Sequence, residues 1–271
     1  MSDSISLFKT LDTPLSWRTN VAPCMLLTAG MTNKVSIQLR DNPNSRETPE
    51  LSAGGVVVTF YEIPLNYPVP IPEVRATIEK DDREILLSIP VPAEIRRGYY
   101  KAQVSRWEES EDNITDIYDC WVIVNKKVKP VVDKFLSVDS VRTQFADVCS
   151  LDNRMLESLE VSTGDIASAV CRCLEQWADT SPRVTSYRGS NFPYPEILRN
   201  GVLYMLIQML WTFLERNRMS YNAGGVQVDL EKRADSFRVL KQEYEQKWQT
   251  GMSQAKMEEN LLSFDDSLIY L

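Results

Sequence analysis

The chain has 271 residues, of which 43% are hydrophobic and 25% charged, a composition that is ordinary for a folded protein with a packed core. Its net charge of −8 argues against a general nucleic-acid binder, because phosphate binding needs a basic surface. The absence of histidine excludes Ser-His and Cys-His catalytic arrangements and removes the commonest metal ligand.

Other chemistry finds little support in the sequence. Carboxylate or lysine catalysis stays open, but no paired-carboxylate motif stands out, so we expect no enzyme, no catalytic or metal-binding residues and no cofactor. An odd number of cysteines without a CxxC pair predicts buried free thiols in a reducing compartment. These cysteines are Cys24, Cys120, Cys149, Cys171 and Cys173. We expect neither a signal peptide nor a membrane segment.

Residues 1–129 carry the pattern of short strands separated by turn residues. Residues 34–41 alternate apolar and polar side chains, and residues 55–63 are rich in β-branched and aromatic types. A hairpin is predicted around residues 80–83, and two further strands follow it. Regular strands without helical periodicity between them predict an antiparallel β-sandwich of immunoglobulin-like size.

The apolar period changes from two to about 3.6 after the basic segment 126–130, so we place a domain boundary there and assign residues 130–271 to a helical bundle. Asp139 or Ser140 is the expected N-cap of the first helix. The sequence leaves open whether Gly164 interrupts the next helical stretch. If it does, Ser162 and Asp165 would cap a second helix.

The most apolar stretch of the chain, residues 194–219, predicts a helix buried on nearly every side. Pro195 suits its first turn, and Arg216 and Arg218 suit its C-terminal end, where the carbonyls are exposed. The apolar part is too short to span a bilayer, which needs roughly 20 residues.

A long amphipathic helix is predicted from about Leu230 towards Gln254. Gly251 should weaken its far end by about 1 kcal/mol. The segment 261–271 is predicted to be an extended tail that docks either on its own domain or on the sheet edge of a neighbour. Its strand-like residues are Ser267, Leu268, Ile269, Tyr270 and Leu271.

Three residues near the end of the central helix are the best surface candidates for a protein contact: Arg216, Arg218 and Tyr221. The alternative interpretation is that the two arginines cap the helix and that the tyrosine covers its end.

The segment from Leu136 to Arg218 resembles the head-tail connector (adaptor) proteins of tailed bacteriophages. The resemblance covers roughly 85 residues and rests on three motifs. They are the helix start at Ser137 to Val141, the D-x-x-L pattern at Asp152 to Leu156, and a P-E-x-(I/L) segment from Pro195 to Leu203 that runs to Glu215-Arg216. The strand-rich half is similar to immunoglobulin-like modules of phage baseplate and fibre proteins, through Gly98 to Val104 and Tyr118 to Val124.

The resemblance implies a structural virion protein, made in the host cytoplasm, that forms a ring of commonly twelve copies between the portal and the tail. Its partners would be the portal protein and a tail or neck protein, and Ser267 to Leu271 would dock towards the portal. Genome DNA would pass through the lumen without sequence readout. The alternative is a baseplate or surface recognition module that binds carbohydrate or protein in a groove of aromatic residues: Tyr61, Tyr67, Tyr99 and Tyr100.

Overall fold

Strands occupy the first part of the described chain, and the second part consists of helices with one short two-stranded pair. The computed structural model describes residues 5–6, 24–37, 55–64, 67–68, 74–81, 84–107, 114–126, 135–145, 161–183, 187–216, 221–223, 226–228 and 230–268. The strands are β1 (Ile5–Ser6), β2 (Cys24–Ala29), β3 (Met31–Ile37), β4 (Gly55–Glu62), β5 (Tyr67–Pro68), β6 (Val74–Asp81), β7 (Glu84–Val91), β8 (Gly98–Trp107), β9 (Ile114–Lys126), β10 (Tyr221–Ala223) and β11 (Val226–Val228). The helices are α1 (Val138–Phe145), α2 (Thr163–Asp179), α3 (Pro195–Arg216) and α4 (Leu230–Leu268). This confirms the predicted mixture of a strand-rich half and a helical half.

Strands β1 to β9 wrap around one apolar core in the order β1-β3-β7-β6-β4-β8-β9-β2, with β5 beside β4. The first residues of β6 pair with β4 and its later residues pair with β7, so this strand joins the two sides of the near-barrel. On the opposite side the chain reverses between β2 and β3 at Gly30, whose φ of 73° suits glycine. The side chain of Asn33 fixes this turn by accepting from the Thr28 amide at 2.8 Å.

The prediction of a purely antiparallel sheet is wrong at two places. β2 pairs with β9 in parallel, from Cys24 opposite Trp121 to Ala29 opposite Lys126, and β1 pairs with β3 in parallel. Apolar alternation shows which face of a strand is buried, but it carries no information about the direction of the neighbouring strand. The hairpin predicted around residues 80–83 is confirmed, because Asp81 lies opposite Glu84.

The helical half begins with two capped helices. Ser137, rather than the predicted Asp139 or Ser140, caps α1, because its Oγ accepts from the Ser140 amide at 3.1 Å. At α2, Ser162 and Asp165 form the predicted capping box, so a helix does begin at Thr163. The preceding residues 146–160, including the motif from Asp152 to Leu156, lie outside the described part.

Helix α3 is the centre of the helical core, as predicted. Val202, Leu203 and Leu206 are buried in it, although Met205 and Met209 on another side are only half-buried. Close packing against α4 depends on Gly201, where a Cβ atom would lie 2.7 Å from a ring carbon of Trp248.

Helix α4 is longer than predicted. It runs through Gly251, which lies against Ile197 of α3, and it continues to Leu268 instead of ending near Gln254. Residues 261–268 are therefore helical, which corrects the predicted extended tail. A helix pairs its backbone groups within the segment, whereas an isolated strand would leave them without partners. Residues 269–271 lie outside the described part.

Candidate protein-contact surfaces

The strand-rich half and the helical half meet at a tight junction built on the loop before α3. The Gly189 amide donates to the Ile63 carbonyl at 3.1 Å, and the Gly189 carbonyl accepts from the Tyr99 amide at 3.3 Å. Arg188 forms an ion pair with Glu62. A Cβ atom at Gly189 would lie 2.5 Å from the Tyr99 carbonyl oxygen, so the approach of the two backbones requires glycine here. This junction fixes the loop on the ends of β4 and β8.

Two neighbouring tyrosines of β8 pack in different cores, one in the helical half and one in the strand half. Tyr99 is buried among the helices, and its Oη donates to the Leu136 carbonyl at 2.8 Å. Tyr100 is buried in the strand core, and its Oη donates to the Arg96 carbonyl at 2.8 Å. Burial raises the pKa of Tyr100 to about 12. Because both rings are buried and on opposite faces of β8, they cannot line the aromatic groove that we hypothesised with Tyr61 and Tyr67.

An aromatic cluster holds α4 against α2 and the loop before α3. Trp177 of α2 lies at its centre, with its ring centroid 4.9 Å from that of Phe192 and 6.3 Å from that of Trp248. The indole nitrogen of Trp248 donates to Gln176 Oε1 at 3.0 Å. The cluster thereby fixes both the position and the rotation of α4.

Two charged residues of α4 complete this cluster. Lys256 is 1% exposed, and its Nζ donates to the carbonyls of Thr180 at 2.5 Å and Pro182 at 3.2 Å. Glu259 accepts from the Tyr187 hydroxyl at 2.5 Å. Burial lowers the pKa of Lys256, and the nearby Glu259 opposes this shift. Both charged groups have protein partners and are buried, so we assign them to the support of α4 and not to ligand binding.

The side of α4 that faces away from α3 carries exposed apolar residues at two places. Among the described residues, the large apolar side chains that stand exposed are Met31, Val239, Leu240, Met257 and Leu261. We name Val239 and Leu240, with the adjacent Arg238, the basic surface. We name Met257 and Leu261, with Glu258 between them, the acidic surface.

The charges of the wider segments agree with these names. In the sequence, residues 232–241 include four cations and one carboxylate, whereas residues 257–271 include no cation and four carboxylates, of which Glu259 is buried. Beside the basic surface, Lys241 Nζ lies 5.1 Å from the ring centroid of Trp211. The Trp211 indole nitrogen is buried and has no hydrogen-bond partner among the described residues. The two ends of α4 therefore differ in charge and share exposed apolar character.

The predicted contact residues are only partly placed by the structure. Arg216 is exposed at the end of α3. Tyr221 lies in β10 opposite Val228, and Ser267 and Leu268 lie in α4. Arg218 and the residues Ile269, Tyr270 and Leu271 lie outside the described part. Sequence reasoning missed Val239, Met257 and Leu261, although apolar residues away from the main stripe of a predicted helix are the signal that would have found them.

The described thiols are held in their protonated form. Burial raises the pKa of Cys24 and of Cys171 from 9.0 to about 12, and it also raises the pKa of Cys120 and Cys173. A protonated thiol is a poor nucleophile and metal ligand. In the described part of the chain, no three metal-ligating side chains come together.

Helices of the described segments do not combine the length and the apolar composition that a bilayer crossing requires.

No protein-family model matches the chain, and no curated protein has a significantly similar sequence.

Proposed function

We propose that the chain is a structural protein of a tailed-phage virion: a head-tail connector (adaptor) that forms a ring between the portal and the tail. The observation that carries this proposal is that the segments resembling connectors coincide with the ends of helices. Ser137 caps α1, Pro195 is the first residue of α3, and Glu215 and Arg216 are its last. The motif from Asp152 to Leu156 lies outside the described part and adds nothing to this argument.

The proposal includes an immunoglobulin-like sandwich followed by a helical bundle. Two groups of strands enclose one core, and β6 belongs to both groups. The bond from the Tyr100 hydroxyl to the Arg96 carbonyl, four residues upstream, is similar to the tyrosine corner of immunoglobulin-like domains. For the bundle, support comes from the buried face that α3 shares with α2 and α4.

In the proposed ring the helical half contacts neighbouring copies, and the strand half lies outside as a decoration or fibre contact. The junction at Gly189 would hold these two parts in one orientation, as a ring of defined diameter needs. The portal protein and a tail or neck protein are the proposed partners. Genome DNA would pass through the lumen and make non-specific contacts only, which agrees with the net charge of −8.

Electron microscopy of the purified chain mixed with the portal ring of the same phage tests the proposal. We expect additional ring-shaped density on one face of the portal, with the rotational symmetry of the portal. Portal particles mixed with an unrelated acidic protein are the control and should stay unchanged. Portal particles that stay bare with this chain at high concentration would contradict the proposed function.

The alternative function, a baseplate or surface recognition module, loses its proposed groove because Tyr99 and Tyr100 are buried. A glycan array probed with the full chain tests it directly. We expect no specific signal, and saturable binding of one glycan class would favour the alternative over the connector.

A further inference from the structure

Four residues of α4 form a row on the side that packs against α2 and α3. The row consists of Tyr244, Trp248, Met252 and Lys256, and because they follow at intervals of four residues they share one side of the helix. Tyr244 is half-buried, and the other three are buried. The row therefore contains three side chains that suit an apolar contact, followed by one buried cation.

Apolar packing by itself does little to distinguish two registers of α4, one turn apart. In the shifted register each place is taken by the residue four positions earlier, a displacement of about 6 Å along the axis. Tyr244 then fills the space beside Gly201 that the Trp248 ring fills in the structure. Trp248 takes the buried place of Met252, and Met252 takes that of Lys256. Apolar cores tolerate such exchanges between side chains of similar volume.

Hydrogen bonding separates the two registers. In the observed register the Lys256 Nζ donates to the carbonyls of Thr180 and Pro182, at 2.5 Å and 3.2 Å. In the shifted register the thioether of Met252 would face these carbonyls, and it has no hydrogen to donate. A covered acceptor that loses its donor costs more free energy than the bond itself contributes. This cost falls on the shifted register alone.

We propose that Lys256 determines the register of α4 against α3, and that without its ammonium group α4 occupies both registers. In other helix pairs a single buried polar residue sets the register in the same way. The consequence reaches the surface, because a shift of one turn would displace the exposed Val239 and Met257 by about 6 Å. Any partner that binds this side of α4 requires one register. The proposal does not depend on the proposed ring, and a failure to bind the portal would leave it intact.

Disulfide trapping between α3 and α4 measures the register in the full chain. Ile197→Cys with Gly251→Cys reports the observed register, because Ile197 packs against Gly251. Ile197→Cys with Lys247→Cys reports the shifted register, in which Lys247 takes the place of Gly251. With Lys256 present, we expect the 197–251 crosslink to exceed the 197–247 crosslink about tenfold or more.

Lys256→Met should raise the 197–247 crosslink about fivefold or more, because a methionine then faces the carbonyls in either register. The bond from Trp248 to Gln176 still favours the observed register, so both crosslinks should form. Gln254→Met is the control, since it introduces the same side chain at an exposed position of α4 and should leave the ratio unchanged. Lys256→Arg retains N–H donors and should keep the observed register. Mass spectrometry of the digested chain identifies the linked pairs.

Circular dichroism shows whether each variant folds. If Lys256→Met does not fold, Lys256→Gln takes its place, because its shorter amide cannot reach both carbonyls. A folded variant with an unchanged ratio of crosslinks would overturn the proposal, as would equal crosslinking at both pairs in the chain that retains Lys256. Loss of folding in both variants would show that Lys256 is required for stability and does not select between registers, which would also overturn it.

Discussion

The strand half and the helical half fill their cores by different means. Within the strands the core side chains are almost all apolar and alternate along the chain, as at Val56, Val58 and Phe60. The helical core instead buries Lys256 and Glu259 against aromatic rings, each with a hydrogen-bond partner. An apolar core accepts many shapes of similar volume, whereas a core with paired polar groups requires each partner in place. Single substitutions in the core are therefore expected to lower the free energy of unfolding more in the helical half than in the strand half.

The largest difference between the halves should come from one tryptophan. Trp248→Ala removes a fully buried ring and the bond to Gln176, so we expect a loss of about 4 kcal/mol in the free energy of unfolding. Leu87→Ala in the strand core should lose about 3 kcal/mol, by creating a cavity alone. Denaturant unfolding of both variants measures the difference. A larger loss for Leu87→Ala would reverse the comparison.

The coupling between the halves should depend on Gly189. Gly189→Ala places a methyl group against the Tyr99 carbonyl, so we expect a loss of about 3 kcal/mol as the loop moves away. Thermal unfolding followed by calorimetry should change from one transition to two, because the halves no longer support each other. Ser253→Ala, on the exposed side of α4, is the control and should leave the transition unchanged. A single transition in Gly189→Ala would show that other contacts couple the halves.

A smaller effect is expected at the start of α2. Ser162→Ala removes the side-chain acceptor of the Asp165 amide, a bond of 3.0 Å, and should lose about 1 kcal/mol. Ser162→Asn, which can accept the same bond, should restore most of the loss. Equal stability of Ser162→Ala and the wild type in urea would show that the capping box adds nothing.

The smallest effect at neutral pH comes from the buried thiols. Cys24 in the strand half and Cys171 in the helical half have pKa values raised from 9.0 to about 12 by burial. Their contribution to stability is complete below pH 9 and is lost as pH rises towards 12, because only the unfolded chain releases the proton in that window. Cys24→Ala and Cys171→Ala should each flatten the decline of stability above pH 9. A slope that neither variant changes would contradict this cause.

Local patterns were sufficient for most elements. Gly98–Trp107 and the hairpin between β6 and β7 were predictable because alternation and turn residues act within a few positions. The capping box at Ser162 was likewise predictable, although only as one of two alternatives. The length of α4 was underestimated, because Gly251 was expected to weaken the helix. In the structure, Ile197 packs against that glycine and favours continuation of the helix.

The candidate contact surfaces were less predictable than the elements. Arg216 was identified from its place at a helix end, and the structure leaves it exposed. Val239 and Met257 were missed. Their exposure depends on the rotation of α4 about its own axis, because the aromatic cluster decides which side of α4 packs against α3. Distant residues such as Trp177 and Phe192 set that rotation, and their proximity cannot be read from spacing along the chain.

The sequence by itself determined the division into a strand-rich half and a helical half, the buried α3 and the expectation of buried thiols. These follow from short-range periodicity and composition, which need no knowledge of neighbours in space. Tertiary structure alone decided the parallel pairing of β2 with β9, the burial of Tyr99 and Tyr100 in separate cores, and the outward side of α4. Each of these depends on contacts between residues far apart in the chain, where sequence spacing carries no geometric information.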